Sequence, residues 1–145
     1  MEEQKAIDIL LVEDNEGDIR LTKEALLDSK IKNELFTVTD GEQAMDFLGR
    51  KAKYGSAIRP DLILLDLNLP KKNGREILAE IKEDKDLRRI PVVILTTSDA
   101  EKDIMQAYNL YANCYIKKPV DFEQFIRVVE SIEDFWFSTV QLPKE

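Results

Sequence analysis

The sequence predicts a doubly wound α/β domain built on a five-stranded parallel sheet. Its apolar runs, of which Leu62 to Leu65 and Val92 to Leu95 are the clearest, are not interrupted by polar residues. Strands of this kind are buried on both faces, as in a parallel sheet covered by helices. The runs also alternate with stretches of helical periodicity along the chain, which is the order of elements in α/β domains.

Five strands follow from the apolar runs. They are predicted at Ile7 to Val12, Leu35 to Val38, Leu62 to Leu65, Val92 to Leu95 and Cys114 to Lys117. Pro91 precedes the fourth run and suits the first position of a strand. Right-handed crossovers restrict how such strands can be connected.

Five helices fill the intervals between and after the strands. They are predicted at Glu16 to Ser29, Gly41 to Leu48, Gly74 to Glu83, Asp99 to Leu110, and from about Asp121 onward. In the third, Ile77, Leu78 and Ile81 share one face. Asp121 is a good N-cap for the last helix. The segment from Gly49 to Pro60 is predicted to be a surface loop, because it contains glycine and proline, which interrupt helices and strands.

Composition limits the classes of protein that fit. The chain has 145 residues, 43% of them hydrophobic, which suits one compact domain. The net charge of -8 argues against non-specific binding of nucleic acid. A single cysteine forbids an intrachain disulfide, and the lack of histidine removes a common base and metal ligand. No apolar run reaches the roughly 20 residues of a membrane span, and no signal peptide is evident, so we expect a cytoplasmic protein.

Chemically distinctive residues follow four of the predicted strands. Glu13 and Asp14 follow the first, Asp66 the third, Thr96 ends the fourth, and Lys118 follows the fifth. In a doubly wound sheet, ligands bind beyond the carboxyl ends of the strands. We therefore expect these side chains to converge at one edge.

The expected cluster suits phosphoryl transfer. Three neighbouring carboxylates repel one another unless a cation relieves them, and an all-oxygen ligand set favours Mg²⁺. A carboxylate such as Asp66 can then act as a nucleophile, with Lys118 as a compact positive charge for the transferring group. Each residue also has a plain structural explanation. Glu13 and Asp14 could favour the helix N-terminus, Asp66 could be a turn residue, and Lys118 a solvated charge. It is much less expected that all of these structural explanations apply together at the ends of four different strands.

The chain resembles the receiver domains of two-component signalling. The resemblance rests on ILLVEDN at 9–15, DLILLDLNLP at 61–70, Gly74, PVVILT at 91–96 and YIKKP at 115–119. It covers about Lys5 to Ile132 and leaves 133–145 as a helix extension and tail. It implies the flavodoxin-like receiver fold with strand order 2-1-3-4-5. It also implies a switch with weak self-phosphorylation and autodephosphorylation rather than a true enzyme.

The resemblance assigns roles to the site residues. Asp66 matches the phosphoacceptor, Asp14 a direct Mg²⁺ ligand, and Glu13 its acidic neighbour. Asn68 matches the position whose backbone carbonyl binds the metal. Lys118 matches the lysine that pairs with the phosphoryl group.

Further positions match the switch machinery of these domains. Thr96 matches the switch hydroxyl and Tyr115 the aromatic residue that follows it. Pro119 matches a proline that follows a cis peptide bond, so we predict that the Lys118–Pro119 bond is cis. Thr97 departs from the small residue usual at its position, where added bulk would restrict access to Asp66.

The resemblance also implies partners. The chain resembles the stand-alone regulators encoded with phytochrome-type and related sensor kinases in three stretches: the long loop from Gly49 to Pro60, KKNGRE at 71–76 and the ending Phe135-Trp136-Phe137. A histidine kinase of that kind is the expected phosphodonor. We predict no output domain after Ile132, so the signal would leave through protein binding. The same tail, with the fourth predicted helix, fifth strand and fifth predicted helix, is a candidate homodimer surface; folding of the tail over its own core is the alternative.

Three other functions were compared with this interpretation. A phosphohydrolase with an aspartyl nucleophile generally has a second aspartate two positions later, where this chain has Asn68. A receiver-like adaptor that is never phosphorylated would not need Thr96 and Lys118. A flavodoxin-like electron carrier would need a phosphate-binding loop after the first strand, where Glu13 and Asp14 would repel phosphate.

Overall fold

The computed structural model of the protein describes residues 6–28, 32–67, 69, 71, 73–96 and 114–131. Its strands are β1 (Ile7–Val12), β2 (Asn33–Val38), β3 (Leu62–Asp66), β4 (Val92–Thr96) and β5 (Cys114–Lys117). Its α-helices in these ranges are α1 (Glu16–Asp28), α2 (Gly41–Gly49), α3 (Gly74–Glu83) and α4 (Phe122–Ser131). The helix predicted at Asp99 to Leu110 lies outside the described residues. No helix in the described ranges is long and apolar enough to cross a bilayer.

The strands form one parallel sheet in the order β2-β1-β3-β4-β5, which confirms the predicted fold class and strand order. The register places Val12 opposite both Val38 and Leu65. On the other side of β3, Asp66 pairs with Leu95, and Thr96 pairs with Lys117 of β5. The carboxyl ends of the central strands are therefore level, so the residues that follow them meet at one edge.

The sheet separates two apolar layers, as the unbroken runs predict. From β1, Leu10 and Val12 enter the layer that contains residues of α2 and α3. Ile9 and Leu11 point to the opposite layer, where Phe125 of α4 is fully buried. Burial of each such side chain stabilises the fold by roughly 1.5–3 kcal/mol. The central strands are thus held from both faces, and their ends form a rigid platform for the site.

Polar side chains define where the helices begin. Asp40 Oδ1 accepts a hydrogen bond from the Gln43 backbone N–H at 2.8 Å and caps α2. Asp121 Oδ1 accepts one from the Gln124 N–H at 2.9 Å, which confirms the predicted start of the last helix. Asn73 forms a reciprocal capping box with residue 76 at the start of α3. These caps satisfy backbone donors that a helix leaves unpaired at its first turn.

The predicted loop from Gly49 to Pro60 is an exposed connection with some internal order. Arg50 adopts a left-handed conformation, with φ 56°, that ends α2, and its Nε donates to the Ala57 carbonyl at 2.9 Å. A 3-10 helix spans Ala52–Tyr54. The Tyr54 ring packs against that of Phe47, with 5.4 Å between centroids. This aromatic contact anchors the loop to the core and limits its freedom.

Candidate functional site at the carboxyl edge of the sheet

Four strand ends bring the chemically distinctive residues to one edge of the sheet. Glu13 continues β1, and its N–H donates to the Val38 carbonyl at 3.0 Å. Asp66 and Thr96 are the last residues of β3 and β4. The Lys118 N–H donates to the Thr96 carbonyl at 2.7 Å, which holds the end of β5 against β4. The convergence expected from the parallel sheet is present.

Glu13, Asp14 and Asp66 each offer a carboxylate oxygen within 4.8 Å of those of the other two. Glu13 is 0% exposed and Asp66 4% exposed, whereas Asp14 lies at the surface. Buried carboxylates at this separation repel one another in a medium that screens charge poorly. The donor set is oxygen only, which suits a hard divalent cation such as Mg²⁺ that retains water molecules on its open side. The residues therefore fit a metal of that class.

Lys118 is the cation of the cluster in the described structure. Its Nζ lies 2.9 Å from Glu13 Oε1, 3.1 Å from Asp66 Oδ2 and 3.0 Å from Asp18 Oδ2. The side chain is 10% exposed, so these charges interact with little screening by water. The geometry places the ammonium group against one carboxylate oxygen of Asp66, Oδ2.

The electrostatics of the cluster follow from burial and from this pairing. Burial raises the pKa of the Glu13 carboxyl to about 7; the neighbouring Asp66 adds to the rise, and Lys118 opposes it. Burial alone would lower the pKa of Lys118, but its hydrogen bonds to Glu13 and Asp18 and the charge of Asp66 outweigh that effect and raise it. Lys118 is therefore positively charged at neutral pH. The nearby carboxylates outnumber it, which leaves the edge attractive to a further cation.

Thr96 and Tyr115 lie on the neighbouring strands β4 and β5. Thr96 is 3% exposed. Tyr115 lies on β5, is half-buried, and packs against the apolar layer that contains residues of α2 and α3. Burial raises the pKa of the Tyr115 hydroxyl, so it is neutral at physiological pH. The bond between Lys118 and Pro119 is cis, which confirms the prediction made from the resemblance.

Gly74 makes a close contact beneath the site. A Cβ built at this position would lie 2.5 Å from the Asp66 carbonyl oxygen and 2.7 Å from Leu67 Cα. The Gly74 N–H donates to the Leu67 carbonyl at 3.0 Å. Only a residue without a side chain lets the first turn of α3 lie this close to the backbone that carries Asp66.

Asp18 is a site residue that sequence reasoning missed. It lies in the first turn of α1, and it contacts Lys118 across 100 residues of sequence. An acidic residue in a first turn is ordinary because the helix dipole favours it. Asp14 precedes α1, so helical spacing does not link the two residues, and no local pattern in the sequence marks Asp18 as part of the site.

Some predicted residues cannot be compared with the structure. Asn68 and Thr97, the helix predicted at 99–110, and the Phe135-Trp136-Phe137 tail lie outside the described residues. Their predicted roles in metal binding, site access and dimer formation remain predictions.

Comparison with known proteins gives a consistent result. The model of the response regulator receiver domain family matches residues 9–130. Response regulator Rcp1 of Synechocystis sp. is 53% identical over 135 residues, which are 93% of this chain and 92% of that protein.

Two solved structures are also similar to the chain. The phosphorylated cyanobacterial phytochrome response regulator RcpA is 54% identical, with a TM-score of 0.75, and the match covers 97% of this chain and 100% of that one. The Mn²⁺-bound form of Rcp1 is 51% identical, with a TM-score of 0.73, and the match covers 95% and 99% of the two chains.

Proposed function

This chain belongs to the response regulator receiver domain family, and we propose that it signals by accepting a phosphoryl group on Asp66 from a sensor histidine kinase. The observation that carries the proposal is the position of Asp66. Its carboxylate ends β3, within 3.1 Å of Lys118 Nζ and beside the acidic pair Glu13 and Asp14. A nucleophilic oxygen, a fixed ammonium group and a place for a divalent cation are the parts that phosphoryl transfer to a carboxylate requires.

We propose Mg²⁺ as the cofactor. Asp14 and Asp66 would hold it through carboxylate oxygens, and Glu13 would act on it mainly through water. The backbone carbonyl of Asn68 is a further ligand implied by the resemblance. When bound, the ion offsets negative charge on the carboxylates and on the phosphoryl oxygens. The relative Rcp1 has a Mn²⁺-bound form, which supports the binding of a divalent ion by this chain.

The transfer itself is a displacement at phosphorus. An oxygen of the Asp66 carboxylate forms the new O–P bond while the P–N bond to the kinase's phosphohistidine breaks. The electron pair of that bond stays on the imidazole nitrogen. Lys118 donates hydrogen bonds to oxygens of the transferring group and stabilises the charge that they carry. Attack of water on the acyl phosphate later returns Asp66 to a carboxylate and releases inorganic phosphate, so we expect slow autodephosphorylation and no other turnover.

The signal then has to leave the site. We propose that the Thr96 side chain, at the end of β4, moves toward the phosphoryl group and donates a hydrogen bond to it from its hydroxyl. The Tyr115 side chain then changes its position in response. Thr96 ends the strand next to that of Asp66, and Tyr115 lies on the strand beyond it, which supports the idea. The readout would be binding of a partner protein at the surface that includes β5. Failure of Thr96→Ala to change phosphorylation-dependent binding would contradict this coupling.

The identity of the phosphodonor is inferred from relatives. RcpA is a phytochrome response regulator, and the similar structure of RtBRR is that of a bacteriophytochrome response regulator. A phytochrome-type histidine kinase is therefore the proposed partner.

Intact mass after incubation with Mg²⁺ and acetyl phosphate tests the proposal. Wild type is expected to gain one phosphoryl group, and the gain should disappear with a chelator. Asp66→Asn should gain none, while Asp28→Asn, which removes an exposed carboxylate at the end of α1, should behave as wild type. No gain in wild type would favour an unphosphorylated adaptor. A gain that persists in Asp66→Asn would mean that another residue is the acceptor.

A further inference from the structure

The Lys118 ammonium group is shared among three carboxylates in the unphosphorylated chain. An ammonium group has three N–H donors. The three contacts of Lys118 Nζ, to Glu13, Asp18 and Asp66, lie between 2.9 and 3.1 Å. A phosphoryl group on Asp66 brings new oxygens that need a donor from the same ammonium. These oxygens compete with the three carboxylates for the ammonium, so we expect at least one existing contact to weaken when the site is phosphorylated.

The three carboxylates differ in what it costs to release them. The side chains of Glu13 and Asp66 are 0% and 5% exposed, whereas that of Asp18 is 31% exposed. A buried carboxylate that loses its cation is left without solvent, which is expensive. Asp18 can exchange Lys118 for water at much lower cost. It is the contact that the burial of the site selects for release.

We propose that Asp18 is a positioning residue that holds Lys118 in the unphosphorylated state and releases it when a phosphoryl group occupies Asp66. The inference rests on the proposed function, since it concerns the same reaction. Asp18 does not touch the phosphoryl group in this scheme. It acts through Lys118, because the attraction between the Asp18 carboxylate and the Lys118 ammonium opposes the movement of that ammonium toward the phosphoryl oxygens.

Removal of the Asp18 carboxylate should therefore increase the affinity of the site for a phosphoryl group. An interaction that is stronger before a reaction than after it opposes that reaction. The negative charge of Asp18 also lies close enough to Lys118 to reduce its attraction for an incoming dianion. We expect Asp18→Asn to bind a phosphoryl analogue roughly three- to tenfold more tightly, a range set by the partial exposure of the pair.

Beryllofluoride, which mimics a phosphoryl group on a carboxylate, is a suitable probe. Its apparent Kd would be measured at saturating Mg²⁺ for wild type, Asp18→Asn, Asp18→Ala and Asp18→Glu, and the rate of labelling by acetyl phosphate would be followed for the same proteins. Glu16→Gln is the matched control, because it removes the same charge from the same first turn of α1 at an exposed side chain. Asp18→Asn and Asp18→Ala should both bind more tightly, Asp18→Glu should lie near wild type, and Glu16→Gln should change clearly less.

The direction of the change separates this role from a structural one. Damage to the fold would weaken binding of the analogue, so tighter binding cannot arise from it. If wild type takes up beryllofluoride, the inference is overturned by unchanged or weaker binding in both Asp18→Asn and Asp18→Ala. An equal gain in Glu16→Gln would also overturn it. If wild type binds no analogue and gains no phosphoryl group, the proposed function itself fails, and this inference fails with it.

Discussion

Replacement of Gly74 by alanine tests how the backbone under Asp66 is held. The added Cβ would lie 2.5 Å from the Asp66 carbonyl oxygen, about 0.9 Å closer than the 3.4 Å at which ordinary contacts begin. The obstacle is backbone on both sides, so no flexible side chain can move away. Either α3 withdraws or the end of β3 shifts.

The energetic cost can be bounded from two opposing effects. Overpacking that forces a backbone shift costs about 1–3 kcal/mol. Alanine also reduces the conformational entropy of the unfolded chain relative to glycine, which stabilises the folded state by roughly 0.4–1 kcal/mol. We expect Gly74→Ala to lower the free energy of unfolding by about 1–2 kcal/mol. A displacement of this size at the nucleophile should also slow labelling of Asp66 by acetyl phosphate at least about tenfold.

The assay is urea unfolding followed by circular dichroism, together with intact-mass kinetics of phosphorylation. Gly55→Ala is the matched control, because its Cβ would meet nothing closer than the Ala52 carbonyl oxygen at 3.9 Å and its φ of -57° suits alanine. The control should be as stable as wild type or slightly more so, with unchanged labelling. If Gly74→Ala matched the control in both measurements, the contact with the Asp66 backbone would not constrain the site.

Three further predictions concern charge and capping. Lys118→Met leaves the buried Glu13 carboxylate without its cation, so it should lower the free energy of unfolding by about 3 kcal/mol. The same variant should bind Mg²⁺ more tightly in calorimetric titration, because the ammonium no longer repels the ion. Weaker Mg²⁺ binding would contradict this prediction. Asn73→Ala should cost roughly 1 kcal/mol in urea unfolding because it removes the capping box of α3, and no loss would mean that the cap contributes nothing. The pKa of Asp84 is lowered from 3.8, chiefly by the hydrogen bond from the Leu87 N–H and also by that from residue 86. The unfolded chain therefore binds the proton more tightly, so this contribution is present above pH 3.8 and is lost as the pH falls below it; acid unfolding of Asp84→Asn should lack that loss, and an identical acid transition in the two proteins would count against it.

Much of the fold could be read from local patterns. The run from Leu62 to Leu65 contains no polar residue, and burial on both faces is the condition under which such a strand is stable in water. The same reasoning located the other strands, with bounds within two residues of those described. Once the sheet is parallel, strand ends must share an edge, and this is why Glu13, Asp14, Asp66 and Lys118 could be grouped before any coordinates were known.

The sequence by itself thus determined the layered α/β architecture, the edge that carries the site and most of its charged residues. Tertiary structure alone decided which partners each of them has. Asp18 cannot be told from any acidic residue at the start of a helix until α1 is packed beside α4 and Lys118 comes within 3.0 Å of Asp18. The closeness of Gly74 to the backbone of Asp66 likewise depends on how α3 is placed against the end of β3. Periodicity and propensity are properties of neighbours in the chain, whereas these contacts join residues that only packing brings together.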